Sequence, residues 1–120
     1  MKNKTIVLDN HSKEIDYLKN FENCIFNHAM QVIGGKWKPI ILYYIKSGAN
    51  RFGMLQRAIP IVSKQMLTSQ LRELEESGLI NRKIYAEVPP RVEYSISKKG
   101  ETVFPVLEAI EKWGREQKGK

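Results

Sequence analysis

Between Lys64 and Glu76, leucines 67, 71 and 74 recur at the i, i+4, i+7 spacing of one helical stripe. At 100° per residue Gln65, Ser69, Arg72 and Glu76 fall on the opposite face, with Thr68 at its edge. Ser63 supplies an N-cap and Gly78 the left-handed residue that stops a helix, so the pattern predicts a helix over Ser63–Ser77 with both ends marked. The period then changes. Ile80, Ile84 and Ala86 alternate with Asn81, Lys83 and Tyr85, and Val92, Tyr94 and Ile96 alternate with Glu93 and Ser95. Two strands, Leu79 to Glu87 and Arg91 to Ser97, are predicted, joined at Val88-Pro89-Pro90. Arg82 breaks the first alternation and is expected to splay outward at the edge.

Upstream, the first ten residues are polar and expected to be frayed. Asp9, Asn10 and Ser12 offer caps for a helix through Phe21, with Ile15 and Leu18 one turn apart. A second helix is predicted over Phe26 to Ile33, capped by Asn27 and stopped by Gly34-Gly35. Lys36-Trp37-Lys38-Pro39 restarts a helix that is apolar nearly all round from Ile40 to Ile45, which predicts the most buried helix. Ser47-Gly48-Ala49-Asn50 ends it, and Arg51-Phe52 reads as a short third strand. A brief helix over Gly53 to Ile59 closes at Pro60, because a residue before proline avoids the α region. This short helix, tight turn and longer helix have helix-turn-helix dimensions. Ser97 caps a last helix with the stripe Val103, Val106, Leu107, Ile110 and Trp113, which Pro105 should bend or divide. The predicted fold is α+β and mostly helical: a winged helix-turn-helix with a three-stranded antiparallel sheet, flanked by N- and C-terminal helices, in a single domain over residues 1–120.

Composition adds constraints. Apolar residues make up 42% and charged residues 28%, ordinary for a globular chain. No apolar run approaches the ~20 residues that span a bilayer. The start lacks the apolar core of a signal peptide, and there is one cysteine; the expectation is a cytoplasmic protein with no internal disulfide and no membrane partner. Twenty Lys and Arg against thirteen Asp and Glu give a net +7. That excess suits either a polyanion partner or a surface kept basic for solubility, and placement decides between them. The outward face of the Ser63 helix carries what base edges require: Gln65 can bond adenine, Arg72 can take guanine bidentately, and Ser63, Thr68 and Ser69 can serve bases or phosphates. Lys64 lies to the side, suited to a phosphate. The hairpin adds Arg82, Lys83 and Arg91. Arg91 follows two prolines that hold the tip extended, and so is the candidate for reaching the minor groove or its phosphates. Each polar face could be merely solvated; the conjunction of helix, turn, capped helix and basic wing favours double-stranded DNA.

These residues resemble the HxlR-type transcriptional regulators, a winged helix-turn-helix family close to the MarR regulators. The matching segments are Val32-Ile-Gly-Gly-Lys-Trp-Lys-Pro39, Arg51-Phe52, Ile59-Pro60, Ser63-Lys64, Met66-Leu67-Thr68, Gln70-Leu-Arg-Glu-Leu-Glu-Glu76 with Gly78-Leu79, Glu87-Val-Pro-Pro-Arg-Val-Glu-Tyr94, and Gly100 through Trp113-Gly114. They span a family-like core over 24–114. The resemblance implies a homodimer joined by its N- and C-terminal helices, each recognition helix and wing meeting half of a near-palindromic operator. The residues agree on dimerisation: Ile15, Leu18, Leu107, Ile110 and Trp113 offer more apolar face than one small core needs. The other reading is that both terminal helices pack only within the monomer. Two-fold symmetry would set the recognition helices about 34 Å apart, one DNA turn.

Cys24 matches the N-terminal cysteine that some members of this family use to sense oxidants or electrophiles, although Ile25 stands where the family commonly places proline. A thiol at a helix start can be more acidic and reactive than usual, and His28 lies one turn on. The alternative for Cys24 is a small buried hydrophobe. One Cys and two His cannot close a four-ligand zinc site from one chain. His11 is expected at the surface. Gly34-Gly35-Lys36 lacks the spacing of a phosphate loop and reads as a helix-breaking turn. Glu73, Glu75 and Glu76 read as helix-surface charges, no nucleophile or paired-carboxylate arrangement stands out, and no cofactor is expected. The sequence therefore predicts a dimeric DNA-binding repressor, not an enzyme, with an effector it does not name. The alternative is a winged-helix protein-interaction module without specific DNA binding.

Overall fold

The computed structural model describes residues 24–119. The chain forms two compact units, Met1–Gly35 and Lys36–Lys120. The helix predicted through Phe21, with Ile15 and Leu18, lies outside the described residues, as does His11.

In the first unit, helix α1 spans Ile25–Ile33. Its cap is Cys24, not Asn27: the Cys24 Sγ accepts from the Asn27 backbone N–H at 3.2 Å. The thiol thus does what serine or aspartate usually does at this position. None of the residues of α1 is buried, and Ile25, Phe26 and Met30 are exposed.

The second unit begins with α2, Lys38–Lys46, which has Pro39 in its first turn, where a missing N–H costs nothing. Ile41, Leu42 and Ile45 are buried. The helix is less enclosed than its near-uniform apolarity predicts, because Ile40 and Tyr44, one turn apart, are exposed. Helix α3, Phe52–Ala58, is followed by the turn through Pro60 and then by α4, Lys64–Glu76. Leu67, Leu71 and Leu74 are buried, as the stripe requires, and fully burying each such side chain is worth ~1.5–3 kcal/mol. Gly78 has φ +79°, a conformation glycine adopts without the Cβ penalty, and the chain turns there into the hairpin.

Strands β1, Ile80–Tyr85, and β2, Arg91–Ile96, pair antiparallel, from Ile80 opposite Ile96 to Tyr85 opposite Arg91. Among the described residues the sheet has two strands, not three. Arg51 is extended but is already the N-cap of α3, and Phe52 is that helix's first residue. What remains of the expected third strand is one backbone bond, Tyr94 N–H to the Asn50 carbonyl at 2.8 Å. A single extended residue cannot carry a ladder of alternating bonds.

Ser97 caps the short helix α5, Lys98–Glu101, by accepting from Gly100 N–H at 2.9 Å. A Cβ on Gly100 would collide with the Leu79 carbonyl, so glycine lets this turn close onto the root of β1. Helix α6 runs Phe104–Lys118 with Pro105 in its first turn. Proline therefore divides the predicted last helix rather than bending it. Phe104 and Leu107 are buried, and Tyr43 of α2 meets the Phe104 ring edge-on at 5.4 Å. The architecture is a mostly helical α+β winged helix, with a core shared by α2, α3, α4, the root of the hairpin and the start of α6.

Candidate nucleic-acid interface

Helix α4 is positioned from beneath. Its three leucines seat in the core, and Glu73 Oε1 takes the Nζ of Lys38 at 2.8 Å. Lys38 is only 6% exposed, so this pair is a strut between α2 and α4. The Lys38 hydrogen bond and charge hold the Glu73 carboxyl below the usual carboxylate range, against a smaller opposing effect of burial. Sequence alone places Lys38 in a basic lead-in to α2. Its burial is settled only by packing, since the charge is tolerated because a carboxylate meets it.

With its inner face fixed, the helix turns a polar face outward. Lys64, Gln65, Thr68, Ser69 and Arg72 line one shallow concavity of about 320 Å³. Ser63 stands at the head of the same helix, where its Oγ accepts from Met66 N–H at 3.0 Å. One amide, one guanidinium, one ammonium and three hydroxyls thus share a surface, the mixture of donors and acceptors that reads base edges and grips phosphates.

The hairpin's basic residues divide between its two faces. In β1, Arg82 lies on the side of Ile80 and Ile84, and Lys83 on the side of Asn81 and Tyr85. Arg82 does not splay outward. Its Nε meets Glu75 Oε1 of α4 at 3.3 Å, and it lines a cleft of about 330 Å³ with Phe52, Thr68, Leu71, Arg72, Glu75 and Tyr94. Burial pushes the Tyr94 phenol up, with Arg82 lowering it and Glu75 raising it. The sequence holds a signal for this contact: alternation puts Arg82 on the Ile80 side of the strand, and Glu75 is seven residues away over the Gly78 turn.

Lys83 and Arg91 lie on the opposite face, where Lys83 Nζ sits 4.8 Å and the Arg91 guanidinium 3.8 Å from the Tyr85 ring centroid. Arg91 also donates to Glu93 at 2.6 Å and Glu87 at 3.0 Å. Burial acts to lower its pKa, but the carboxylates of Glu87 and Glu93 raise it overall. The side chain expected to extend from the wing tip is instead laid along its own hairpin. Both acids stand within four residues of Arg91, and Glu93, two residues on in the same strand, shares its face by strand alternation.

Elsewhere, Leu107 is 4% exposed within the single chain and belongs to its core, whereas Ile110 and Trp113 are 55% and 65% exposed. Val106 joins them on one helical stripe and is exposed as well. Cys24 is buried at the head of α1. Among the described residues no cluster of His, Cys, Asp and Glu could hold a metal ion, and no helix is long and apolar enough to cross a membrane.

The model of the HxlR-like helix-turn-helix family matches residues 32–120. The chain belongs to this family. An uncharacterized HTH-type transcriptional regulator of Methanothermobacter thermautotrophicus is 51% identical over 92 residues, covering 77% of this chain and 70% of the relative. YdeP of Bacillus subtilis, also an uncharacterized HTH-type transcriptional regulator, is 42% identical over 112 residues, covering 92% and 88%. Among solved structures, the redox regulator HypR in its oxidized form is similar with a TM-score of 0.72 and 42% identity, over 78% of this chain and 96% of that one. The HxlR-like chain is therefore a transcriptional regulator of the helix-turn-helix class, and α3 and α4 are its helix-turn-helix pair.

Proposed function

We propose that this chain is a dimeric, sequence-specific DNA-binding repressor. The observation that carries the reading is the outward face of α4, where Lys64, Gln65, Thr68, Ser69 and Arg72 line a single concavity on a helix capped by Ser63. In this reading α4 enters the major groove, Gln65 and Arg72 read base edges, and Lys64, Ser63, Thr68 and Ser69 hold the register on phosphates and bases. The hairpin lies beside it as the wing, with Arg82, Lys83 and Arg91 near the phosphates. The exposed stripe of Val106, Ile110 and Trp113 joins two copies, so that two α4 helices meet a near-palindromic operator with half-site centres about 10 base pairs apart.

Footprinting on the DNA beside its own gene tests this. Protection of a near-palindromic stretch, with far weaker binding to random duplex, is the expected result, and a transcript that rises when the gene is deleted marks repression. Equal affinity for both DNAs rejects specificity. Failure to bind any duplex at low salt supports the protein-interaction reading instead.

The signal enters, in this proposal, through Cys24. Two facts support it: the thiol caps α1 by accepting from Asn27 N–H, and HypR, a redox regulator by name, is 42% identical. Oxidation of the thiol by a peroxide replaces the capping group and loosens the start of α1. Operator affinity should change on peroxide treatment in the wild type and stay constant in Cys24→Ser. An unchanged wild type removes Cys24 from the mechanism.

A further inference from the structure

The cleft between α4 and the hairpin holds an arrangement that the reading of α4 alone does not use. Arg72 and Arg82 line it from opposite elements, with one carboxylate, Glu75, between them in the charge balance. Phe52, Leu71 and Tyr94 complete its walls. Glu75 meets Arg82 through Nε at 3.3 Å, and no other described residue bonds the guanidinium. Both side chains of the pair are 40% exposed. Exposed pairs of this kind contribute only ~0–1 kcal/mol to stability, so holding the fold together is a poor account of it. Its effect is on geometry. A guanidinium is a planar fork, and a carboxylate at its Nε edge restrains the plane while leaving the Nη groups available to another acceptor. Thr68 and Arg72 line both this cleft and the concavity on the outward face of α4, so the two openings adjoin.

We infer that Glu75 is a positioning residue for DNA binding: by taking the Nε edge of Arg82 it fixes that guanidinium beside Arg72, and the free Nη edge clamps a backbone phosphate at the junction of helix and wing. The inference rests on the DNA-binding reading above. It makes a counter-intuitive claim, since Glu75 is an acid beside a polyanion. Simple electrostatics requires removal of its charge to tighten binding, whereas positioning requires the same change to weaken it.

A double-mutant cycle on the full chain decides. The probe is a fluorescein-labelled, random-sequence duplex of about 30 base pairs, long enough for two half-sites, titrated by anisotropy at several KCl concentrations. Arg82→Ala is expected to weaken binding about tenfold, the loss of one charge-assisted bond, and to lower the log–log salt slope by about 0.9 per protomer. Glu75→Gln is expected to weaken binding about three- to fivefold with an unchanged melting temperature, and to have no further effect in the Arg82→Ala background. Binding of Glu75→Gln as tight as wild type or tighter overturns the inference, as does a loss of equal size in the Arg82→Ala background. A melting temperature that falls in step with affinity assigns Glu75 to the fold and also overturns it. A wild type that binds no duplex rejects the DNA reading itself, which separates that failure from the failure of Glu75 alone.

Discussion

Arg72 and Lys83 carry the same charge in different settings, and their substitutions should separate. Arg72 stands among Gln65, Thr68 and Ser69 on α4, where a guanidinium can bond one base bidentately. Lys83 lies over the Tyr85 ring on the outer face of the hairpin, with only a point charge to offer. Competition binding should show Arg72→Ala losing about 1–3 kcal/mol of preference for operator over random duplex, and Lys83→Ala weakening both alike. Equal losses on both DNAs for Arg72→Ala make it a phosphate contact. A second prediction concerns pH. The folded-state pKa of Glu73 is lowered, chiefly by the Lys38 hydrogen bond, so its contribution is present above the ordinary carboxylate value of 4.5 and is lost as pH falls through the folded value. Urea unfolding should find wild type more stable than Glu73→Gln at neutral pH by about 1 kcal/mol, with the two converging in acid; parallel curves down to pH 3 reject the strut. Face assignments on α4 were legible because helical periodicity fixes direction. The partners of Lys38 and Arg82 were not, because long side chains choose among acids brought near by turns and packing, and the acids beside Arg91, though close in sequence, were not read as holding it along the hairpin.

At the scale of elements, local signals did most of the work where one residue decides the backbone. Ser63 caps α4 and Gly78 turns the chain into β1, and both were readable because capping and φ are short-range; Pro105, expected inside one last helix as a bend or a division, instead stands in the first turn of α6. The third strand failed for the complementary reason: strand formation depends on a neighbour's ladder, and an extended Arg51 that also starts a helix leaves nothing to pair. Cys24, not Asn27, holds the cap position of α1, and this was not legible because a thiol is a weak acceptor and is seldom read as a cap. The Ser63 cap can be separated from any DNA contact of the same hydroxyl. Ser63→Ala should cost about 1 kcal/mol of unfolding free energy and lower DNA affinity as the first turn of α4 frays. Ser63→Asp should keep the stability, since aspartate caps equally well, yet bind DNA more weakly than wild type by placing a negative charge near phosphate. Calorimetry and anisotropy on both variants check this, and unaltered stability in Ser63→Ala removes the cap from the account of α4.

For the molecule as a whole, the question is what covers the exposed apolar residues of α6. Val106, Ile110 and Trp113 recur along one stripe, and the side of the same helix that carries Phe104 and Leu107 is already spent on the core. The apolar periodicity of this helix was plain in the sequence, but its division between inside and outside was not. A single stripe list that includes Leu107 merges two faces, and only packing against α2 separates them. An exposed tryptophan flanked by aliphatic side chains is the composition of an interface centre, where such residues contribute most of the binding energy. A second copy is the partner that the proposed near-palindromic operator would call for. Trp113→Glu puts a charge on that stripe without touching α4, the hairpin or the buried Leu107. Sedimentation at micromolar concentration should give wild type twice the 13.9 kDa chain mass and Trp113→Glu the chain mass itself, with the variant's melting curve still cooperative. DNA affinity should fall far more than any single α4 substitution achieves, because one half-site contact loses the effective concentration that the linked second contact provides. A wild type that sediments at the chain mass leaves the stripe without its proposed occupant and makes each α4 read its site alone.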